Sequence, residues 1–225
     1  HPDMEAERSG WFECSCCPTN VCRFLPSVPG YMYAQQGSDL FINLFANSTA
    51  SLLINSKQVS VEQQNSYPWD GNLKFVFNTK SPLNFNLLLR IPGWAIGEAI
   101  PSDLYRFERR ADIKIDIKVN GQPVNYSMKN GYAVISRTWK KNDVVEMFLP
   151  MNIQRVVSSE ELKNNIGLVS LQRGPLMYCA EWTDNNGKVS NLVIPETESL
   201  QAEHKQELLN GVTVLKGNAI AVVTE

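Results

Sequence analysis

A long series of short segments with alternating apolar and polar residues is the strongest constraint on how this chain can fold. These segments recur at intervals of roughly ten residues after Gly30, and Gly, Asn, Asp or Ser residues separate them. A period of two places apolar side chains on one face of a strand, and many short strands are typical of antiparallel sandwiches. The sequence therefore predicts an all-β fold of antiparallel, jelly-roll-like β-sandwiches. The predicted strands are residues 39–45, 50–55, 58–64, 72–78, 84–91, 113–119, 124–126, 132–139, 143–149, 153–157, 167–171, 176–181 and 212–215.

The Asn120-Gly121 pair gives the sharpest local prediction. In the preceding residues, 113–119, Ile and Val alternate with Lys and Asp, as expected for a strand with one buried face. A type I′ turn requires two consecutive residues with positive φ, and Asn-Gly adopts this conformation readily. We therefore expect a hairpin that turns at residues 120–121.

Residues 19–28, which precede the predicted strands, are expected to form one short helix. Their apolar side chains recur at helical spacing, and Thr19 or Asn20 can cap the first turn. Pro26 and Pro29 limit how far the helix extends. The apolar stripe would consist of Val21, Phe24, Leu25 and Val28.

Composition divides the chain into three expected parts. Residues 1–30 contain the helix, residues 31–150 the first sandwich, and residues 151–225 part of a second sandwich. Residues 97–112 carry a charged run and are expected to form a solvated excursion within the first sandwich. Residues 196–206 are polar enough for an exposed loop or a short helix.

Charge and hydropathy exclude two classes of function. The chain has 21 basic and 23 acidic side chains and a sequence pI near 5.8, so it lacks the basic surplus of a nucleic-acid-binding protein. No apolar stretch reaches the roughly 18 residues that a transmembrane helix needs. The chain begins at His1 with neither an initiator Met nor a signal-peptide pattern, so we expect a soluble piece of a longer polypeptide.

Five cysteines are the clearest candidates for chemistry. Cys14, Cys16, Cys17 and Cys22 lie within nine residues, and Cys179 is far from them. An odd number crowded at one end is unlike a disulfide scaffold, and adjacent cysteines rarely reach disulfide geometry. Thiolates are good Zn²⁺ ligands and a helix start stabilises anions, so Cys16 and Cys17 could bind metal, remain free thiols, or simply pack. Cys22 and Cys179 are expected to be buried packing residues.

The cysteine cluster is part of a longer run with a recognisable pattern. The run consists of Trp11-Phe12, Cys14-Ser15 and Cys16-Cys17-Pro18-Thr19-Asn20, followed by Arg23. It resembles the Cys-Cys-Pro-Pro-Asn motif of glycoside hydrolase family 127, the β-L-arabinofuranosidases, although Thr19 replaces a proline and Glu13 a glycine. Further segments match the family in the same order and cover most of the chain. They are residues 30–31, 40–45, 89–94, 132–150 and 171–178.

This resemblance implies a retaining glycosidase with a cysteine nucleophile. Carried onto this sequence, Cys16 would attack the anomeric carbon, and Cys16 and Cys17 would be ligands of a zinc ion that keeps the nucleophile as a thiolate. The family's acid/base glutamate and its Glu-x-Cys zinc ligands lie upstream, in an (α/α)₆ barrel. Residues 1–30 would then be the end of that barrel, and the isolated chain would be inactive and could lack zinc.

The resemblance also indicates the surroundings in which the parent protein would act. Its substrate would be an arabinose-containing plant glycan or a related sugar, and it could form a homodimer. A bacterial cytoplasmic or periplasmic location would fit.

Two alternatives to a glycosidase stay open at this stage. The chain could be a non-catalytic carbohydrate-binding or structural β-sandwich with incidental cysteines, or the cysteines could form a structural zinc site. Exposed tryptophans could stack on sugar rings, although aromatic residues of sandwiches mostly belong to the core. The tryptophans considered for stacking are Trp69, Trp94, Trp139 and Trp182.

Overall fold

The structure is a computed structural model that describes residues 16–109, 113–185 and 187–223. In these residues, helix is confined to α1 (Cys16–Ser27), α2 (Pro29–Met32) and short 3₁₀ turns at Gly93–Ile96, Lys163–Asn165 and Trp182–Asp184. Strands form the rest of the regular structure, so the all-β prediction is confirmed. In chain order they are β1 (Tyr33–Gln36), β2 (Asp39–Ile42), β3 (Ser48–Ile54), β4 (Lys57–Asn65), β5 (Asn72–Thr79), β6 (Leu83–Arg90), β7 (Tyr105–Phe107), β8 (Asp116–Val119), β9 (Gln122–Pro123), β10 (Ser127–Lys129), β11 (Tyr132–Trp139), β12 (Asp143–Phe148), β13 (Ile153–Ser158), β14 (Val169–Arg173), β15 (Leu176–Tyr178), β16 (Leu192–Val193), β17 (Gln201–Lys205), β18 (Val212–Lys216) and β19 (Ile220–Ala221).

Two sheets form the main sandwich. The first has the order β1-β2-β6-β11-β10, in which β2 is parallel to β6 and the other neighbours are antiparallel. The second has the order β3-β4-β5-β12-β8-β9 and is antiparallel throughout. Alternate residues of both sheets share one core, in which the ring centre of Phe77 on β5 lies 6.2 Å from that of Phe85 on β6. The alternation that predicts the strands therefore also defines the core.

A third sheet has the order β15-β14-β13-β7, and it corrects one prediction. Residues 97–112 were expected to stay within the first sandwich, but Phe107 of β7 pairs with Val156 of β13. The Glu108 N–H then donates to the backbone oxygen of Arg155 at 2.8 Å. The segment crosses to the third sheet because burial of Phe107, which is 6% exposed, and backbone pairing stabilise it there. Residues 110–112 of the expected excursion lie outside the described residues.

The loop before β5 contacts both the sandwich and the third sheet. A Cβ atom on Gly71 would lie 1.8 Å from the backbone oxygen of Leu149, so only glycine fits at this close approach. The N–H of Leu149 donates to the Gly71 oxygen at 2.9 Å. Arg173, at the end of β14, donates from Nη1 to the backbone oxygen of Trp69 at 2.9 Å. The main sandwich and the third sheet therefore both contact this loop.

The predicted hairpin at Asn120-Gly121 is confirmed. Both residues have positive φ, 53° and 76°, and β8 pairs with β9 across the turn. The Asn120 side chain also joins this turn to β12. Its Nδ2 donates to Asp143 Oδ1 at 2.8 Å, and its Oδ1 accepts from the N–H of Val144 at 2.8 Å.

Two local predictions are wrong. Residues 196–206 were expected to form a loop or a short helix, but Gln201–Lys205 is strand β17 and pairs with β18. Its backbone hydrogen bonds do not depend on apolar alternation, so a polar strand escapes a pattern-based prediction. The short strand expected at 124–126 is observed at Ser127–Lys129. The division of the chain at residues 30 and 150 stays a prediction.

Candidate functional site

The structure describes four of the five cysteines. Cys14 lies outside the described residues, and so do His1, Glu13 and the other motif residues before position 16. Helix α1 already includes Cys16, the first described residue, so Thr19 and Asn20 lie inside the helix rather than at its cap.

Cys16 and Cys17 place two thiols side by side on α1. Their Sγ atoms lie 3.7 Å apart, and both residues are exposed. The helix Cys16–Ser27 contains no Asp or Glu, so no carboxylate of α1 competes for this position.

The spacing of the two sulfur atoms fits zinc. Tetrahedral zinc with Zn–S bonds of about 2.3 Å brings two sulfur ligands about 3.8 Å apart. The observed 3.7 Å between Cys16 Sγ and Cys17 Sγ is close to that value. Within the described residues, however, no group of three or more His, Cys, Asp or Glu side chains could hold a metal ion. The described part of the chain therefore offers at most two of the four ligands of a tetrahedral zinc site.

The polar motif residues share one face of α1. Arg23 donates from Nη2 to Asn20 Oδ1 at 2.7 Å, and the Thr19 hydroxyl donates to the backbone oxygen of Cys16 at 3.0 Å. Cys16, Asn20 and Arg23 are spaced by four and three residues, which places them on the same side of a helix. The motif thus forms a polar strip with the thiols at one end and a guanidinium at the other.

The expected packing of the other helix residues is not observed. The apolar stripe of α1 is exposed, with Val21 at 54%, Phe24 at 60% and Leu25 at 61%. Cys22 and Cys179 are also exposed, so their prediction as buried packing residues is wrong. A helical stripe predicts a helix that has a partner surface, but within the described residues nothing buries a residue of α1.

The four tryptophans considered for sugar stacking divide by exposure. Trp139 is fully buried, Trp69 and Trp94 are half-buried, and Trp182 is 58% exposed. Trp139 belongs to the core, as aromatic residues of sandwiches mostly do. Of these four residues, Trp182 alone presents most of its ring surface to solvent.

A search for membrane-spanning segments gave a negative result for the described residues. None of their helices has both the length and the apolar character needed to cross a bilayer.

Two domain models of glycoside hydrolase family 127 match this chain. “Beta-L-arabinofuranosidase, GH127 middle domain” matches residues 39–151. “Glycoside hydrolase family 127 C-terminal domain” matches residues 153–220. Together the two matches cover most of the chain.

Three proteins that are similar to this chain are described as β-arabinofuranosidases. A non-reducing end β-L-arabinofuranosidase from Bifidobacterium longum subsp. longum is 30% identical over 193 residues, which are 83% of this chain and 26% of that protein. A solved GH127 β-arabinofuranosidase structure has a TM-score of 0.90 and 37% identity, over 95% of this chain and 34% of its own. A GH127 β-L-arabinofuranosidase from Geobacillus stearothermophilus T6 has a TM-score of 0.84 and 34% identity, over 96% and 32%. The chain thus spans only 26% to 34% of the length of these relatives.

Proposed function

This chain belongs to glycoside hydrolase family 127, and on that basis we propose that it supplies the nucleophile of a retaining glycosidase acting on β-L-arabinofuranosides or related sugars. The observation that carries the proposal is the exposed thiol pair of Cys16 and Cys17, with Sγ atoms 3.7 Å apart. Because the chain matches only part of the length of its relatives, the activity and substrate of the whole protein belong to the proposal.

Cys16 is the nucleophile in the proposed reaction. Its Sγ attacks the anomeric carbon while the glycosidic C–O bond breaks, and a thioglycoside forms on the enzyme. Water then displaces the thiolate, so two inversions retain the configuration of the sugar. A general acid protonates the leaving oxygen and later takes a proton from the attacking water. By the resemblance to the family, we place this acid in a part of the protein outside these 225 residues.

Cys16 and Cys17 would also hold a zinc ion through both Sγ atoms. Bound zinc would keep these thiols deprotonated at neutral pH. The fit of their 3.7 Å separation to a tetrahedral site supports this assignment. The remaining two ligands would come from outside the described residues, which contain no larger metal-binding cluster.

The proposed function predicts activity of the natural polypeptide that contains this chain on 4-nitrophenyl β-L-arabinofuranoside. We expect ¹H NMR spectra to show the β anomer of arabinose as the first product, because a covalent intermediate retains configuration. The 225 residues expressed alone should show no turnover, because in our proposal the general acid/base and the remaining zinc ligands lie outside them. Inversion of configuration, or no hydrolysis of any pentofuranoside, would contradict the proposal. Turnover by the 225 residues alone would contradict our placement of the acid.

Zinc binding gives a second prediction with a readout besides activity. In the natural polypeptide, Cys17→Ser is expected to lose most of the bound zinc in elemental analysis after gel filtration, because one of four ligands is removed. Cys22→Ser is the matched control, since Cys22 lies exposed on the same helix but outside the sulfur pair. This control should keep the wild-type zinc content. Equal zinc contents of Cys17→Ser and the wild type would show that Cys17 is not a ligand.

A further inference from the structure

Two Asn-Gly turns of the main sandwich have nearly the same backbone conformation. Asn120-Gly121 joins β8 to β9, and its two residues have φ values of 53° and 76°. Asn130-Gly131 joins β10 to β11, and its residues have φ values of 50° and 79°. Both asparagines are exposed. Two consecutive positive φ angles fit a type I′ turn in each case, so the two turns can be compared residue by residue.

The two turns differ in the hydrogen bonds of the asparagine side chain. Asn120 donates from Nδ2 to Asp143 Oδ1 and accepts at Oδ1 from the N–H of Val144, both at 2.8 Å. Its backbone N–H also donates to the Val144 oxygen at 2.8 Å. The Asn130 side chain makes no hydrogen bond to any residue that the structure describes. The same carboxamide is therefore held in one turn and can rotate in the other.

A rotating asparagine carboxamide that precedes glycine can react with its own backbone. The Gly131 nitrogen loses its proton to hydroxide and attacks Asn130 Cγ, so that a C–N bond forms. The Cγ–Nδ2 bond then breaks, and the departing group takes up a proton and leaves as ammonia. Water opens the resulting cyclic imide at either carbonyl, which leaves aspartate or isoaspartate at position 130. Glycine has no side chain to hinder the attack, and the Gly131 N–H makes no hydrogen bond to the described residues that would oppose it.

We propose that Asn130 is a site of spontaneous deamidation, whereas the hydrogen bonds of Asn120 protect the equivalent turn. To react, the Asn120 side chain must first break its bonds to Asp143 and Val144, and the first of these is to a carboxylate. Losing two such bonds lowers the population that can react by about tenfold or more. Aspartate at position 130 adds one negative charge, and isoaspartate also adds a methylene group to the backbone of the turn. The inference does not depend on the proposed thiol chemistry, because neither turn contains a cysteine.

Peptide mapping of the natural polypeptide tests this proposal. The protein is kept at mildly alkaline pH for several days, and mass spectrometry of tryptic digests gives the deamidated fraction relative to the starting sample. Trypsin places the two turns in separate peptides, residues 119–129 and 130–137, and fragment ions assign the modified residue. We expect the rate at Asn130 to exceed the rate at Asn120 by about tenfold or more. Equal rates, a faster reaction at Asn120, or no reaction at Asn130 would overturn the proposal.

Two controls show whether the hydrogen bonds of the fold cause the difference. In concentrated urea the bonds of Asn120 are lost, so the two asparagines should react at similar rates; a difference that persists undiminished would overturn the proposal. Asp143→Ala removes the acceptor of Asn120 Nδ2 and is expected to raise the rate at Asn120 by about threefold or more, with the rate at Asn130 unchanged. An unchanged rate at Asn120 in this folded variant would also overturn the proposal. The urea comparison needs no variant, so it decides the question even where Asp143→Ala fails to fold.

Discussion

Replacing Cys16 with serine is expected to lower kcat/KM on 4-nitrophenyl β-L-arabinofuranoside by a factor of about 10⁴ or more in the natural polypeptide. A serine hydroxyl is a far weaker nucleophile than a thiolate, and its oxygen is a poorer partner for a soft metal site. Because the thioglycoside cannot form, both steps of the proposed reaction are lost. Initial rates measured across a range of substrate concentrations give the factor directly.

The control for this prediction is Cys22→Ser, on the same helix. Cys22 is exposed and lies outside the Cys16–Cys17 sulfur pair, so its replacement should leave kcat/KM within about threefold of the wild type. A Cys16→Ser enzyme that retains more than about a tenth of the wild-type kcat/KM would show that another group attacks the sugar. Loss of activity in both variants would indicate damage to the helix rather than to the nucleophile.

The strands of the sandwich show how far the sequence predicts the fold. The predictions at 72–78 and 84–91 agree with β5 and β6 to within one residue at each end. The agreement has a physical cause, because the residues that alternate in the sequence are those that the opposite sheet buries. Phe75 and Phe77, two residues apart on β5, are both fully buried. Where one face of a strand packs against the core, the alternation of apolar and polar residues in the sequence follows from that packing.

Helix α1 shows where such a pattern stops being informative. Its apolar spacing predicts a helix, and a helix is found, but Phe24 and Leu25 remain 60% and 61% exposed. Periodicity reports which side of a helix is apolar and says nothing about which surface covers it. For the same reason, the chain boundaries, the homodimer and the cellular compartment stay predictions, since each depends on contacts beyond a local pattern.

The candidate site is only partly visible in the sequence. The thiol pair can be identified directly because Cys16 and Cys17 are adjacent and belong to a specific motif. The 3.7 Å separation of the two sulfur atoms, which decides whether they fit one metal ion, depends on side-chain geometry and is seen only in the structure.

Trp139→Ala is expected to lower the free energy of unfolding of this chain by about 3–5 kcal/mol. The Trp139 ring is fully buried and lies 4.7 Å from Phe77 and 5.4 Å from Phe85 between ring centres, where the two sheets of the sandwich meet. Its Nε1 donates to the backbone oxygen of Phe85 at 3.1 Å. Alanine would leave a large cavity and remove that hydrogen bond. Thermal unfolding followed by circular dichroism should show a melting temperature lower by about 10 °C.

Trp182→Ala is the matched control for this large loss of stability. Trp182 is 58% exposed, so removing its ring takes little apolar surface out of the core, and the free energy of unfolding should change by about 0.5 kcal/mol or less. The difference between the two variants isolates the effect of burial, because the same atoms are deleted in both. Equal destabilisation of the two variants would contradict the position of Trp139 at the centre of the sandwich. A large loss of stability in Trp139→Ala but not in Trp182→Ala would show that Trp139 stabilises the sandwich from its core. Its place in the sequence would then need no contact with a sugar to explain it.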